Sequence, residues 1–581
     1  MERRRRLALL VLAAGLSGAP ALRRPGLPRR SSAHRAASVS SNAVGGEAVA
    51  ETRGLGEPLG ETASWRRLGS FESVLARATV GQKLDLPHAT VAILDGPAVS
   101  RAQMVDALAL CAAKHPLLRA RVTGTGPLDA DKPNPNIRLN SDFDPLTFSP
   151  MDPALSLRDI ADKVLRETAE LPAGGDEEAF EGAWRSAFSD ALNAWETDTK
   201  EGPLWQVAWA QQPTGGAGAP RRHAVVIDFN HAVSDQTCAN TLIDDLAAAL
   251  DAVVVRGGAP KAVALERRAP PSVEEAVLGP SHAPSPDFEG VVKNFSLATL
   301  RYGFFQIMNG ASGAALLPPA VQALKPEERD QQGYGFSKRS TRLQHAVLEP
   351  EEGKALLARS TAEGTTVTGA FVAAVTLAAL DTLQKFSGDA AAGDVPNKLR
   401  ILMSLDMRRF GRGAPQEDWT KGTMACGGGA TDFVLAARDG ESPWELARTA
   451  RKRIVDFITD PDFPAESVRL FDIGSRFLDM PKFVKEEGST NLASLGRGYS
   501  AGVSNTGVFR ARASVDSAFQ IRRVHYATSH THTGCLFQLS AVTVDNNFCL
   551  TFQTPTPLLR EEEAAYFVDN TVQRLRSMID E

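Results

Sequence analysis

Residues 256 to 337 separate two halves of this chain, and each half mixes strand patterns with helix patterns. The separating stretch is Pro-rich and polar, as in "RGGAPKAVALERRAPPSVEE" and "GPSHAPSPDFEG", with short helical pieces such as "LATLRYGFFQIM" between. It reads as a crossover linker. The fold class expected is therefore α+β, built from two similar lobes. A chain of 581 residues is long enough for both. The lobes are assigned to 65–255 and 338–581, with the linker at 256–337.

Each lobe has its own signals. In the first, "ATVAILDG" (Ala89–Gly96) reads as a strand that ends in a turn. Met104, Val105, Leu108, Cys111 and Ala112 then share one helical face, which Pro116 ends; Leu117–Val122 reads as another strand. "GPLWQVAWA" and "HAVVIDF" are expected to be neighbouring strands. In the second, the apolar "VTGAFVAAVTLAALDTLQKF" is expected to be a buried helix. "GCLFQLSAVTVDNNFCLTFQT" predicts a hairpin turning at Asp545-Asn546-Asn547.

Composition removes several functions. A net charge of -5 with no long basic block in the body argues against nucleic acid as a partner. Cysteines 111, 238, 426, 535 and 549 form no C-x-x-C pair, so neither a disulfide framework nor a zinc site is expected. No run of 18 apolar residues follows the N-terminus, so no transmembrane span is expected in the body.

The N-terminus reads as an address. "MERRRR" and the apolar "LALLVLAAGLSGA" lead to an A-x-A-like site at Ala19-Pro20-Ala21, a signal peptide over 1–21. Residues 22–60 are transit-like: rich in Arg and Ser, with no acid before Glu47. This order resembles the two-part presequence of algae whose plastids are reached through the secretory route. A signal peptide with a basic propeptide, in an endoplasmic-reticulum or secreted protein, is the alternative. About 13 apolar residues fall short of the ~20 that span a bilayer, so removal rather than anchoring is expected.

The chemistry is expected in "VVIDFNHAVSDQTC", Val225–Cys238, where an apolar strand ends and His231 and Asp235 follow at once. A strand end is a rigid platform. Imidazole can take a proton from a hydroxyl and return it, and a nearby carboxylate can fix its orientation. Other motifs are weaker. "GYSAG" around Ser500 matches the serine-hydrolase elbow by letters but lacks the strand-before, helix-after context. His530 and His532 in "SHTHTG" are expected on one side of a strand, without a third metal ligand. "CGGGA" near Gly428 lacks the Lys-Ser/Thr of a P-loop and reads as a flexible turn.

With these residues in hand, "HAVSD" resembles the H-x-x-x-D motif of a superfamily. It holds chloramphenicol acetyltransferase, peptide-synthetase condensation domains, alcohol acetyltransferases, wax ester synthases and plant BAHD acyltransferases. "VAILDG…MVDALALCAAKHPLLRARV" is similar to their opening strand and helix. "GTTVTGAFVAAV", "LMSLDMR" and "GVSNTG" resemble later segments, in the family's order. The resemblance covers roughly 65 to 578. It implies two chloramphenicol-acetyltransferase-like lobes with mixed sheets and a central tunnel. His231 would be the general base of an acyl-CoA-dependent O-acyltransferase acting on an alcohol, with a lipid or pigment as candidate acceptors. Asp235 would be structural, held by Arg408, with Arg119 as second candidate; Ser504 and Asn505 would line the acceptor side. The acyl thioester is a co-substrate; no further cofactor and no metal is implied, and a monomer is expected.

Three departures stand out. Asn230 replaces the first His of condensation domains, Gln236 replaces the usual Gly after the Asp, and no D-F-G-W-G segment follows. The alternatives are N-acyl transfer or condensation on a carrier-bound thioester, a catalytically silent ligand-binding homologue, and, least, hydrolysis through Ser500.

Overall fold

Ten longer strands carry the architecture of this computed structural model. They are β1 (His88–Gly96), β2 (Trp205–Gln212), β3 (Arg221–Phe229), β4 (Ser340–Leu348), β5 (Lys398–Asp406), β6 (Gly428–Ala436), β7 (Arg497–Val508), β8 (Gln520–Thr528), β9 (Gly534–Val544) and β10 (Asn547–Thr556). The structure describes residues 52–78, 86–124, 146–166, 177–212, 221–279, 296–331, 333–387, 397–411, 424–438, 440–477 and 494–580. The signal peptide and most of the transit-like segment lie outside them.

The first lobe is a four-stranded antiparallel sheet in the order β8-β1-β3-β2. "WQVAWA" and "HAVVIDF" do pair as neighbours, Trp205 opposite Phe229. The second lobe is a six-stranded mixed sheet, β6-β5-β7-β9-β10-β4, with β5, β7 and β9 parallel. Its last hairpin turns at Asp545 and Asn546, both at positive φ, which Asp and Asn tolerate.

One strand breaks the sequence's division. β8 belongs to the second half of the chain, yet its residues 520–528 pair with β1 from Gln520↔Asp95 to Thr528↔His88. The first sheet is thus completed by a segment some 430 residues downstream. Two further boundaries shift. Residues 52–60 were assigned to the transit-like segment, but Leu55 and Leu59 are buried and Thr52–Arg53 pairs with Val263–Ala264. Their apolar side chains draw them onto the lobe. Pro116–Arg119 forms a 3-10 turn, and only Ala120–Thr123 is strand.

The helices start where their caps dictate. α1 is Ser70–Ala78 and α2 is Arg101–Lys114, the latter opened by a Ser100/Gln103 capping box, with Met104, Leu108, Cys111 and Ala112 buried and Val105 half-buried. α3 (Gln236–Val254) is capped by Asp235. α4 (Val273–Leu278) opens on the Ser272/Glu275 box and α5 (Val367–Lys385) on Thr366. α5 is long and apolar enough to cross a bilayer, but Ala370–Val375 are wholly buried in the second core. α6 is Phe463–Phe477 and α7 is Glu561–Asp580.

Helices α1, α4 and α6 meet beside the His231 turn and hold a group of buried carboxyls. Glu72 takes Arg66 in two 2.6 Å bonds. Ser70 bonds Asp472, and Glu274 accepts the Phe71 amide at 2.8 Å, its other oxygen meeting no donor among the described residues. Burial, with the charge of Glu72, pushes the Glu274 carboxyl up to about 7. A raised acid makes the folded state hold its proton longer than the unfolded chain does. Stability therefore falls as pH rises between about 4.5 and 7. Glu274→Gln keeps the acceptor for Phe71 and removes the charge. It is expected to melt higher than the parent at pH 8, by up to about 3 kcal/mol, and to match it at pH 4.5. An equal difference at both pH values in a thermal melt would refute the charge argument.

Candidate active site

The site begins where β3 runs out. Asn230 closes the strand with its amide on the Leu204 carbonyl, and its side-chain oxygen caps a one-turn 3-10 helix, His231–Val233, through the Ala232 amide at 3.0 Å. Asn230 thus has a turn-capping part. The turn is tight enough for the His231 ring to fold back: Nδ1 lies 2.7 Å from the Ser234 carbonyl. A carbonyl only accepts, so Nδ1 carries the proton and Nε2 keeps its lone pair. No hydrogen-bond partner meets Nε2 among the described residues. Burial lowers the His231 pKa below the ordinary imidazole value, with Asp235 and the Ser234 carbonyl opposing. The ring is neutral at physiological pH, as a base must be.

Asp235 does not bond this ring. Its Oδ1 caps α3 at the Cys238 amide, 3.0 Å, and its Oδ2 accepts from the Gly427 amide at 2.6 Å and from Arg408 at 2.8 Å. Burial works against the charge, but Arg408 and the two amides outweigh it and hold the carboxyl below its usual range. Arg408, itself buried, follows β5 and also meets Asp406 at 3.1 Å, the Ala425 carbonyl at 3.0 Å and the Cys238 sulfur at 2.8 Å. One guanidinium of the second lobe is thereby fastened to the motif of the first.

Cys426–Ala430, read from sequence as a flexible turn, is not one: Cys426 and Gly427 belong to this junction and Gly428–Ala430 open β6. Its glycines answer to packing. A Cβ on Gly427 would stand 2.7 Å from the Arg408 guanidinium, and one on Gly429 would stand 2.5 Å from Met407. Cys426 brings its sulfur to 3.9 Å from His231 Nδ1, and burial pushes that thiol far up, so it is uncharged.

Other candidates go elsewhere. Ser504 bonds the Tyr526 hydroxyl at 2.8 Å, and the Tyr526 ring stands edge-on to His88, which stacks on His231. Asn505, next on the strand, faces the other way, toward Thr368 of α5 at 3.0 Å. Arg119 is fully buried but serves the Ala112, Ala113 and Glu266 carbonyls, and Glu61 at 3.6 Å; it does not reach Asp235. Ser500 sits mid-strand in β7, buried, accepting the Arg400 amide at 3.0 Å, which is no elbow. His530 and His532 lie in a loop rather than a strand. The Arg497 guanidinium gathers the carbonyls of His530, Thr531 and Cys535, and that curls the loop.

Two contributors were not singled out for the site. His88 opens β1 and meets Ser234 and Gln236. Gln236, noted only as a departure, is its partner. A buried polar residue at the first position of an apolar strand was the available signal.

No family model and no curated protein sequence matches this chain. Solved structures do. A trichothecene 15-O-acetyltransferase from Fusarium sporotrichioides superposes with a TM-score of 0.59 at 12% identity, over 90% of this chain and 98% of that one. The first condensation domain of the calcium-dependent antibiotic synthetase gives 0.53 at 14% identity, over 89% and 97%. The condensation domain of the Monacolin K polyketide synthase MokA gives 0.53 at 12%, over 90% and 98%. With a sheet in each lobe and His231 and Asp235 at their junction, the protein has the two-lobed fold shared by CoA-dependent acyltransferases and condensation domains.

Proposed function

We propose that this protein transfers an acyl group from a thioester, acyl-CoA in the first instance, to an alcohol, with His231 as general base. The observation that carries the reading is the imidazole itself: neutral, fixed as the Nδ1–H tautomer, its Nε2 without a hydrogen-bond partner among the described residues, at the junction of the lobes. Nε2 takes the proton of the acceptor hydroxyl as its oxygen attacks the thioester carbonyl. A C–O bond forms and the carbonyl π electrons move to oxygen, where donors must meet the negative charge. Collapse breaks the C–S bond, and the proton passes from Nε2 to the leaving sulfur. Ester and free thiol result.

The test follows the thiol. The chain from residue 52 to 581, offered acyl-CoAs of several lengths with a panel of alcohols, is expected to release thiol in an alcohol-dependent way. Release dependent on amines instead supports N-acyl transfer; none with any acceptor, alongside tight thioester binding, identifies a silent homologue. The pH profile adds a sign. His231 must be unprotonated to act and burial lowers its pKa, so kcat/KM is expected to rise with pH with a midpoint below ~6.5 and to stay level to pH 8. A midpoint above that value would exclude a half-buried, neutral His231 as the base.

A further inference from the structure

Gln236 occupies a position where the resemblance leads one to expect glycine, and the structure shows what its side chain does. Its amide nitrogen donates to Asn240 Oδ1 at 2.8 Å and to Thr90 Oγ1 at 3.3 Å. The Thr90 hydroxyl proton is already engaged by the His525 carbonyl at 3.1 Å, so Thr90 can only accept from Gln236. These bonds settle which end of the amide faces His88: the carbonyl, 3.0 Å from Nε2. An acceptor there requires a proton on His88 Nε2. The other nitrogen, Nδ1, is then a bare acceptor; the Ser234 hydroxyl lies 3.1 Å from it, nearer than the Asp235 carbonyl at 3.3 Å, its other acceptor. Ser234 is the residue whose carbonyl holds His231.

We propose that His88 is a positioning residue for His231: Gln236 fixes its tautomer, its Nδ1 anchors the Ser234 side chain, and the anchored Ser234 aims its carbonyl at His231 Nδ1. The inference rests on the reading of His231 as the base, but concerns how the ring is held. The His88 ring also lies under His231, centroids 5.3 Å apart and planes 29° from parallel, with Phe229 on its other contact at 5.8 Å. A side chain with a nitrogen at each end and a flat face meets Ser234, Gln236 and His231 together. Burial brings the His88 pKa down to about 3, the charge of His231 adding to it, so His88 stays uncharged while its neighbour takes a proton. Among the described residues, the other ionisable groups facing His231 are Asp235 on its own loop, engaged by Arg408, and the neutral thiol of Cys426 from the second lobe.

The experiment reads His231 directly and needs no substrate. Diethyl pyrocarbonate acylates the free nitrogen of a neutral imidazole; its rate at His231, followed by peptide mass spectrometry between pH 5.5 and 8 on the full chain, reports both tautomer and pKa. Expected is a slowing of about five- to tenfold in His88→Phe, Ser234→Ala and Gln236→Met, as the loss of one neutral hydrogen bond gives. His88→Asn, which keeps an acceptor toward Ser234, is expected within about twofold of the parent. A purely structural part for His88 would lower melting temperature without this pattern. Unchanged His231 reactivity in Ser234→Ala and Gln236→Met overturns the proposal even if His88→Phe does not fold, and so does His88→Asn reacting as slowly as His88→Phe. If the pattern holds while the parent releases no thiol with any acceptor, acyl transfer fails and the positioning stands.

Discussion

His231→Ala is expected to lower turnover ~10²–10⁴-fold, the range that a positioned general base supplies, with the fold intact. The side chain is half-buried and its one strong bond is local, to a carbonyl three residues away, so little packing goes with it. Thiol release under saturating acceptor gives the rate, and a thermal melt of the same sample gives the stability. Turnover close to the parent's would remove His231 from the chemistry.

Asp235 and Arg408 are expected to behave otherwise. Both are largely buried and each answers the other's charge at 2.8 Å, with Gly427, Cys238 and Ala425 completing the set. Removing Arg408 leaves the buried Asp235 charge uncompensated, which costs about 3–5 kcal/mol; removing Asp235 leaves Arg408 with Asp406 at 3.1 Å and costs less. Asp235→Asn and Arg408→Ala should each lower the melting temperature as well as turnover. The double variant should lose much less than the sum, because either single change already breaks the pair. Asp235 also sets a pH signature. Its folded pKa is depressed, so its contribution is full above the ordinary aspartate range and is lost as pH falls through the folded value. Asp235→Asn should lack that part of the parent's acid sensitivity. A variant as stable as the parent yet inactive would place Asp235 in the chemistry instead of the scaffold.

The glycines of Cys426–Ala430 show why part of the site escaped the sequence. A glycine run reads as freedom when no neighbour is known. Here Gly427 is small because Arg408 stands against it, and its amide is aimed at Asp235, 192 residues away in the chain. Ser500 shows the converse: letters that match a motif, inside a strand that cannot present it.

The sequence by itself determined the elements and the candidate base. Caps at Ser100, Ser272 and Thr366, the polar turn at Asp545-Asn546, the apolar strand ending at Asn230 and the His231–Asp235 spacing are all written within a few residues of where they act. Caps, turns and periodicity work over one or two turns of backbone, so a local reading finds them. Only the tertiary structure decided that β8 crosses back to finish the first sheet and that His88 lies beneath His231. It alone decided that Gly427 and Arg408 close on Asp235. Those contacts join residues more than 140 positions apart, and no periodicity links their sequences; they exist because burying the apolar faces of both sheets brings the strand ends together, and buried polar groups there must find partners.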